Sequence, residues 1–281
     1  MIVVTGASGH LGHFAVGQLL AKGEKVIAAA RTTEKARDLA GKGAEVRHAD
    51  YEKPETLEPA FRGAEKMLLV SASEVGKRAR QHRAIIDAAK KAGVRHIVYT
   101  SLTRADASPM KLATEHAETE AYLRASGIPF TILRNGWYIE NYTDQLGSIL
   151  QLGTLYSAAG EGKVSAATRE DYAAAAVAAL TSPGHDGKTY ELGGESLTLA
   201  QIAGKISAWA GRSIPHVSLP FDAYKGALLK AGLPEAFADV LADADVGLAA
   251  GALEVTSGDL EKLLGRPPTT VDQVLAKLPK P

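Results

Sequence analysis

The sequence predicts an α/β fold, a doubly wound parallel sheet with a smaller, mainly helical C-terminal lobe, and three observations predict it. Short apolar runs alternate with helical stretches through the first half of the chain. Those runs are continuously apolar rather than alternating, as strands buried on both faces of a parallel sheet are. The first run opens directly into a glycine-rich turn and a helix. Repeated strand–helix units joined by right-handed crossovers wind into such a sheet.

The apolar runs lie at 2–5, 25–30, 45–49, 66–71, 96–100 and 130–133, and the helical stretches at 11–21, 33–42, 55–61, 81–92 and 112–125. Gly23, Gly43, Gly93 and Gly127 follow four of the helices, where a left-handed closing residue is expected. Beyond about residue 133 the alternation loosens. Thr168 with Asp171, Thr198 with Gln201 and Thr270 with Gln273 resemble capping boxes, each opening a helix. Segments 188–192 and 214–219 read as strands, and 221–231, 234–241 and 258–264 as helices. The expected division is a nucleotide-binding part over 1–150 and a smaller lobe over 151–281, with some of the later strands free to rejoin the sheet.

Composition narrows the function classes. At 46% hydrophobic and 23% charged residues the chain reads as an ordinary soluble globule. Thirty-two basic residues balance 32 acidic ones, so no global field recruits nucleic acid or an anionic membrane. The absence of cysteine excludes disulfides, thiolate metal sites and cysteine nucleophiles. No apolar run approaches the ~20 residues of a spanning helix, and no basic and apolar leader precedes Ile2. A soluble, cytoplasmic protein is the default expectation. No histidine spacing suggests a metal.

The loop Gly6-Ala7-Ser8-Gly9-His10-Leu11-Gly12 carries the first functional signal. Its first glycine permits the turn, the second lets a pyrophosphate approach backbone, and the third lets helix pack on strand. The helix that follows offers free N–H groups and a partial positive charge to phosphates. Ser8, His10 and Leu11 complete the cradle, so a dinucleotide in a Rossmann-type site is expected. An NAD site usually carries an acidic residue at the end of the second strand, to hold the ribose 2′-hydroxyl. Here that position is Arg31, followed by Thr32, Thr33 and, one turn on, Lys35. A guanidinium fits a 2′-phosphate bidentately and stacks on adenine, which favours NADP over NAD. Asp50, after the third strand, is placed to reach the adenine amino group or to act as a turn residue. Ser71, Ala72 and Ser73 end the fourth strand, where backbone walls the adenine ribose.

Short-chain dehydrogenases place a tyrosine, with a lysine four residues later, on the helix after the fifth strand. The lysine lowers the tyrosine pKa, and the phenol protonates the nascent alkoxide. Here His116 and Glu120 hold that spacing. Simple ketone reduction by that route is not expected.

With these residues in view, the chain resembles the NADPH-dependent quinone oxidoreductases of the NmrA-like atypical short-chain dehydrogenases. The likeness rests on the loop 6–12, the run 71–76, Tyr99-Thr-Ser-Leu102, the His116/Glu120 pair and Leu133-Arg-Asn-Gly-Trp-Tyr138. It extends to 166–172 and 242–247, and so covers nearly the whole chain. Triphenylmethane dye reductases are similar but more distant. The resemblance implies flavin-free hydride transfer from NADPH to a small-molecule quinone, leaving a hydroquinone, without a metal. It also implies that Asn135, Gly136 and Trp137 line the nicotinamide, with Tyr138 and Trp137 stacking on a planar acceptor. Trp137 as a core aromatic between lobes, Tyr138 in the same structural role, and His116 as a satisfied surface histidine stand as the alternatives. Tyr138, Asn135 and His116 are the candidate catalytic residues. Other readings are an NADP-binding redox sensor without turnover and a reductase of dyes or other conjugated electrophiles. Monomer and homodimer are both open.

Overall fold

The apolar runs become the central sheet in the computed structural model, which describes residues 1–281. Strands β1 (Ile2–Val4), β2 (Val26–Ala30), β3 (Glu45–His48), β4 (Lys66–Leu69), β5 (His96–Leu102) and β6 (Phe130–Asn135) alternate with helices α1 (His10–Ala21), α2 (Arg37–Gly41), α3 (Leu57–Phe61), α4 (Arg78–Lys91) and α5 (Lys111–Ala125). Then come α6 (Glu140–Thr143), α7 (Leu146–Leu152), β7 (Leu155–Ser157), β8 (Lys163–Ala166), α8 (Arg169–Thr181), β9 (Thr189–Leu192), β10 (Glu195–Thr198) and α9 (Leu199–Ala210). The chain ends with β11 (His216–Ser218), α10 (Phe221–Lys230), α11 (Glu235–Ala249), α12 (Asp259–Leu264) and α13 (Val271–Ala276).

Seven strands form one sheet in the order β3-β2-β1-β4-β5-β6-β9. Every neighbouring pair is parallel. Successive side chains of a strand point to opposite faces, and the core divides accordingly. Ile2 and Val4 face Leu11, Val16, Leu19, Val177 and Leu180 on one side of the sheet. Val3 faces Phe61, Ile85, Ile86 and Leu123 on the other. Full burial of side chains this size contributes roughly 1.5–3 kcal/mol each, before the entropy of ordering them.

A third apolar cluster, with Met110, Tyr142, Leu155, Leu199, Ile202 and Leu248, holds the smaller lobe together. Its small sheets pair β7 with β11 and β8 with β10. The later chain is not confined to that lobe. Strand β9 joins the central sheet beside β6, from Ile132 opposite Thr189 to Asn135 opposite Leu192, and Leu260 of α12 belongs to the same core cluster as α1 and α8.

Several boundaries differ from the expected ones for local reasons. The stretch 33–42 splits into a 3₁₀ turn (Thr33–Ala36) and α2. The helix expected over 234–241 runs on to Ala249. Two capping boxes close reciprocally, Thr198 with Gln201 and Thr270 with Gln273. At Thr168 only half of the box forms. Its hydroxyl accepts from Asp171 N, while the Asp171 carboxylate receives Arg266 Nη2 at 2.6 Å and Thr269 N at 2.7 Å. Asp171 therefore ties the last segment of the chain to α8 instead of capping its own helix.

A layer of buried polar side chains lies between α4, α5 and β5. His82 is fully buried. Ala72 N donates to its Nε2 at 2.9 Å, and its Nδ1 lies 3.0 Å from Thr119 Oγ1. The Thr119 hydroxyl donates to Glu115 O at 2.8 Å, so it accepts from His82 Nδ1–H. His82 is thus neutral, with its proton on Nδ1. Burial, reinforced by the Arg78 charge, pushes its pKa down to about 3.

Protonating His82 would place a proton on Nε2, facing the Ala72 N–H. The folded pKa lies below the ordinary value near 6.5, so this contribution to stability is intact above that value and falls away as the pH drops toward 3. Between pH 7 and pH 5 the loss should be about 2 kcal/mol. Urea unfolding of wild type and His82→Gln at both pH values measures it. The variant should lose about 2 kcal/mol less on acidification, and equal losses would show that His82 titrates without cost to the fold.

Candidate active site

Strand order reverses between β1 and β4: the chain runs outward through β2 and β3, then returns to the other side of β1. Ligands of open α/β sheets bind beyond the carboxyl ends of the strands at such a point. A cleft of about 450 Å³ lies there, with segments after β1, β2, β3, β4 and β6 contributing to its walls.

The glycine loop forms its floor. Gly6 has φ +60°, and a Cβ there would meet Tyr51 and Val70 at 3.6 Å. A Cβ at Gly12 would stand 2.4 Å from Gly6 O and 3.0 Å from Ala7 Cα, so only glycine lets α1 start against the loop. At Gly9 an added Cβ would meet nothing but Gly6 O, at 3.3 Å. Gly12 therefore serves packing, whereas Gly9 keeps its surface open toward the cleft side of the turn. Ser8, His10 and Leu11 line the cleft with them.

The wall beyond β4 is held from below. Ser71 N donates to Thr100 Oγ1 at 2.9 Å. Ala72 donates to His82, and its carbonyl accepts from Arg78 Nε at 2.7 Å. Ser71, Ala72 and Ser73 line the cleft, as do Arg31, Lys35 and Asp50. Asp50 also acts as a turn residue, its carboxylate accepting from Glu52 N at 3.0 Å.

The residues expected at the reacting end separate. Tyr138 reaches the cleft. Its ring meets Tyr172 edge-on, with centroids 5.6 Å apart, and the Arg169 guanidinium lies 5.1 Å from the ring centre. Burial holds the Tyr138 phenol above its usual pKa, so it stays protonated. Trp137 packs instead against the apolar core of the smaller lobe. Gly136 is enclosed, its Cα facing Leu192 O, Ser165 O and the Tyr172 hydroxyl. Asn135 ends β6 rather than following it. It is buried outside the cleft lining, and neither end of its amide makes a close hydrogen bond, although it stands near enough to the Tyr138 hydroxyl to ease the phenol's pKa downward. A buried amide with both ends unpaired is costly, and this one stands three residues before Tyr138.

His116 and Glu120 do not line the cleft. Both are buried. His116 Nδ1 lies 2.7 Å from the hydroxyl of Tyr99, itself fully buried on β5. Burial holds His116 well below its usual pKa. Glu120 receives Arg134 through two hydrogen bonds, Nε to Oε1 at 2.9 Å and Nη2 to Oε2 at 2.7 Å, and Ser101 Oγ at 2.6 Å. The helix positions that carry a tyrosine and lysine in short-chain dehydrogenases are turned here into the protein.

Sequence reasoning missed Tyr51, Glu74, Gln81 and Arg169, all of which line the cleft. Tyr51 follows Asp50 directly, and its hydroxyl is buried without a partner; an aromatic at the end of the third strand was the available signal. Glu74 lies inside the run 71–76 already singled out. Arg169, in the first turn of α8, lies inside the segment 166–172 that carries the resemblance, with no local cue that it reaches the cleft.

The NmrA-like family pattern matches residues 1–264. Quinone oxidoreductase 2 of Escherichia coli K12 is 47% identical over 281 residues, covering 99% of this chain and 98% of its own. The crystal structure of the NADPH-dependent quinone oxidoreductase QOR2 from Escherichia coli, complexed with NADPH, superposes with a TM-score of 0.94 at 46% identity, over 98% of this chain and 99% of that one. The Citrobacter sp. triphenylmethane reductase complexed with NADP(H) superposes with a TM-score of 0.93 at 37% identity, over 99% of both chains. Sequence and fold agree on the kinship, and the chain belongs to the NmrA-like family.

Proposed function

We propose that this chain is an NADPH:quinone oxidoreductase that needs neither flavin nor metal. The observation that carries the reading is the division of labour along one cleft. A phosphate-binding loop and two cations, Arg31 and Lys35, lie toward β2, and an aromatic platform, Tyr138, lies after β6. Near-complete coverage of a relative named quinone oxidoreductase 2 supports the same reading.

The residues present fit the cofactor. Gly6, Gly9 and the start of α1 suit a pyrophosphate, Arg31 and Lys35 a 2′-phosphate, and Ser71–Ser73 an adenine ribose. NADPH, when bound, supplies the hydride. Tyr138 orients a planar acceptor against it, and the protonated Tyr138 hydroxyl donates a hydrogen bond to an acceptor oxygen. The single proton that completes the hydroquinone after hydride transfer comes from solvent. No stronger acid is required, because a quinone that accepts hydride leaves a phenolate whose conjugate acid has a pKa of ~10. A ketone leaves a far more basic alkoxide, and α5 presents no Tyr–Lys pair to protonate it. Soluble, cytoplasmic action fits a chain in which no helix is long and apolar enough to cross a membrane.

The cofactor assignment predicts tighter binding of NADPH than of NADH. Charge-assisted contacts of ~1.5–3 kcal/mol, discounted for the exposure of Arg31, leave a preference of at least about tenfold. Titration of both cofactors should show that ratio in wild type and its collapse in Arg31→Ala. Equal affinities in wild type would refute the assignment.

The substrate assignment predicts that quinones work and simple ketones do not. A missing acid should cost roughly 10²–10⁴ on ketones, while positioning dominates for quinones. Tyr138→Ala should therefore lower kcat/KM for a benzoquinone more than His116→Ala does. A thousandfold loss in a folded His116→Ala would instead make the histidine an obligatory acid. Equal wild-type activity on a cyclic ketone would overturn the substrate class.

A further inference from the structure

Glu74 stands at the mouth of the cofactor cleft and has no part in the reading above. Its carboxylate is shared between two cations: Oε1 lies 3.1 Å from Arg31 Nη1, and Oε2 lies 3.0 Å from Lys77 Nζ. Arg31 follows β2 and Glu74 follows β4, with β1 between those strands. The Arg31–Glu74 pair therefore spans the cleft above the glycine loop, and both residues line it. The pair is open to water, with the two side chains 65% and 36% exposed.

We propose that Glu74 is a specificity-determining residue, which weakens the binding of NADPH and NADP⁺ by competing with their 2′-phosphate for the Arg31 guanidinium. The inference rests on the reading that Arg31 receives that phosphate. A phosphate monoester carries a charge of about −1.5 to −2 at neutral pH, and it accepts from a guanidinium bidentately. It outbids a single carboxylate for Arg31. Once displaced, Glu74 keeps Lys77 as its counter-ion but remains beside a phosphate of like charge. Breaking an exposed ion pair costs little, so the penalty is modest rather than prohibitive. NADH, with a hydroxyl at the same position, neither displaces the carboxylate nor meets its repulsion. Glu74 thus narrows the gap between the two cofactors. It also hastens departure of NADP⁺, which keeps its 2′-phosphate after the hydride has left.

The test is fluorescence titration of NADPH, NADP⁺ and NADH at one fixed ionic strength, with Glu74→Gln, Arg31→Ala and the double variant. Glutamine keeps the length of the side chain and removes its charge. In Glu74→Gln the Kd for NADPH and NADP⁺ should fall about three- to fivefold, mainly through slower dissociation, while the Kd for NADH moves less than twofold. In the Arg31→Ala background the same substitution should gain less than twofold. Unchanged or weaker NADPH binding in Glu74→Gln would overturn the proposal, because Glu74 would then be holding Arg31 ready for the phosphate. Equal tightening of NADH would overturn it too, by pointing to a general charge effect. Arg31→Ala separates the two levels of argument. If it leaves NADPH affinity intact, the Arg31 reading fails and this inference falls with it. If it weakens NADPH while Glu74→Gln gains nothing, only the role of Glu74 is refuted.

Discussion

The bidentate pair between Glu120 and Arg134 is the constraint on which the reacting end of the molecule depends. It joins α5 to β6 inside the protein, and each partner reaches a further element. Ser101 of β5 donates to Glu120 at 2.6 Å, and Arg134 Nη1 donates to Glu191 of β9 at 3.0 Å and to Asp106 at 2.9 Å. Hydrogen bonds to the carboxylate strengthen the guanidinium's hold on its proton, so Arg134 stays charged. An isolated charge here would be very costly, but this one has three carboxylates around it. Glu191 in turn accepts from Thr103 Oγ1 at 2.6 Å and from Arg104 N, whose residue has φ 50°. One network thus fixes the carboxyl ends of β5, β6 and β9 and the strained turn after β5. Asn135 to Tyr138 emerge from that fixed edge.

The same network explains the missing acid in physical terms. A helix offers residues i and i+4 to one side, and on α5 that side carries His116 and Glu120. Both face β5, His116 toward Tyr99 and Glu120 toward Ser101 and Arg134. The positions that serve proton transfer in related enzymes serve cohesion here. His82 plays a parallel part from α4, holding the Ala72 backbone against the cleft from inside. The cleft walls are therefore set by buried, neutral or fully paired groups, and the exposed charges are left at its rim.

How much of this was legible follows from which forces leave a local trace. The inner strands were legible because burial on both faces leaves continuous apolar runs, whereas the run expected at 45–49 is the edge strand β3, whose Glu45 and His48 are exposed. The glycine loop was legible because a 2.4 Å approach at Gly12 admits no other residue. Arg31 and Lys35 could be placed because they follow a strand at a known distance from that loop. For Trp137 the sequence left a core role and a place at the nicotinamide both open, because the chain turns neighbours to opposite sides, Trp137 against the lobe core and Tyr138 into the cleft. Arg169 and Tyr51 depend on contacts between distant segments, and the inward turn of His116 depends on Tyr99 lying across from it. A Thr168–Asp171 capping box was the natural local reading. Asp171 departs from it only because Arg266 and Thr269, almost a hundred residues on, supply stronger partners.

The chemistry that results is governed by what each end of the cleft can stabilise. In the proposed function, exposed cations toward β2 meet a fixed anion of the cofactor, and solvent screening keeps each contact modest. At the other end a half-buried tyrosine, held protonated, can orient an acceptor and donate a hydrogen bond, but it has no neighbouring cation on α5 to make it a strong acid. Such a site favours acceptors whose product anion is already delocalised, for which a hydrogen bond suffices where a full proton transfer would otherwise be needed. A conjugated ring is also the shape that an aromatic such as Tyr138 supports best, with the Arg169 guanidinium over its ring and Tyr172 crossing it at a steep angle. On the proposed function, reactivity is selected by the acceptor's own electronic structure and by the geometry of one aromatic surface, and the burial of His116 and Glu120 is what leaves the selection to them.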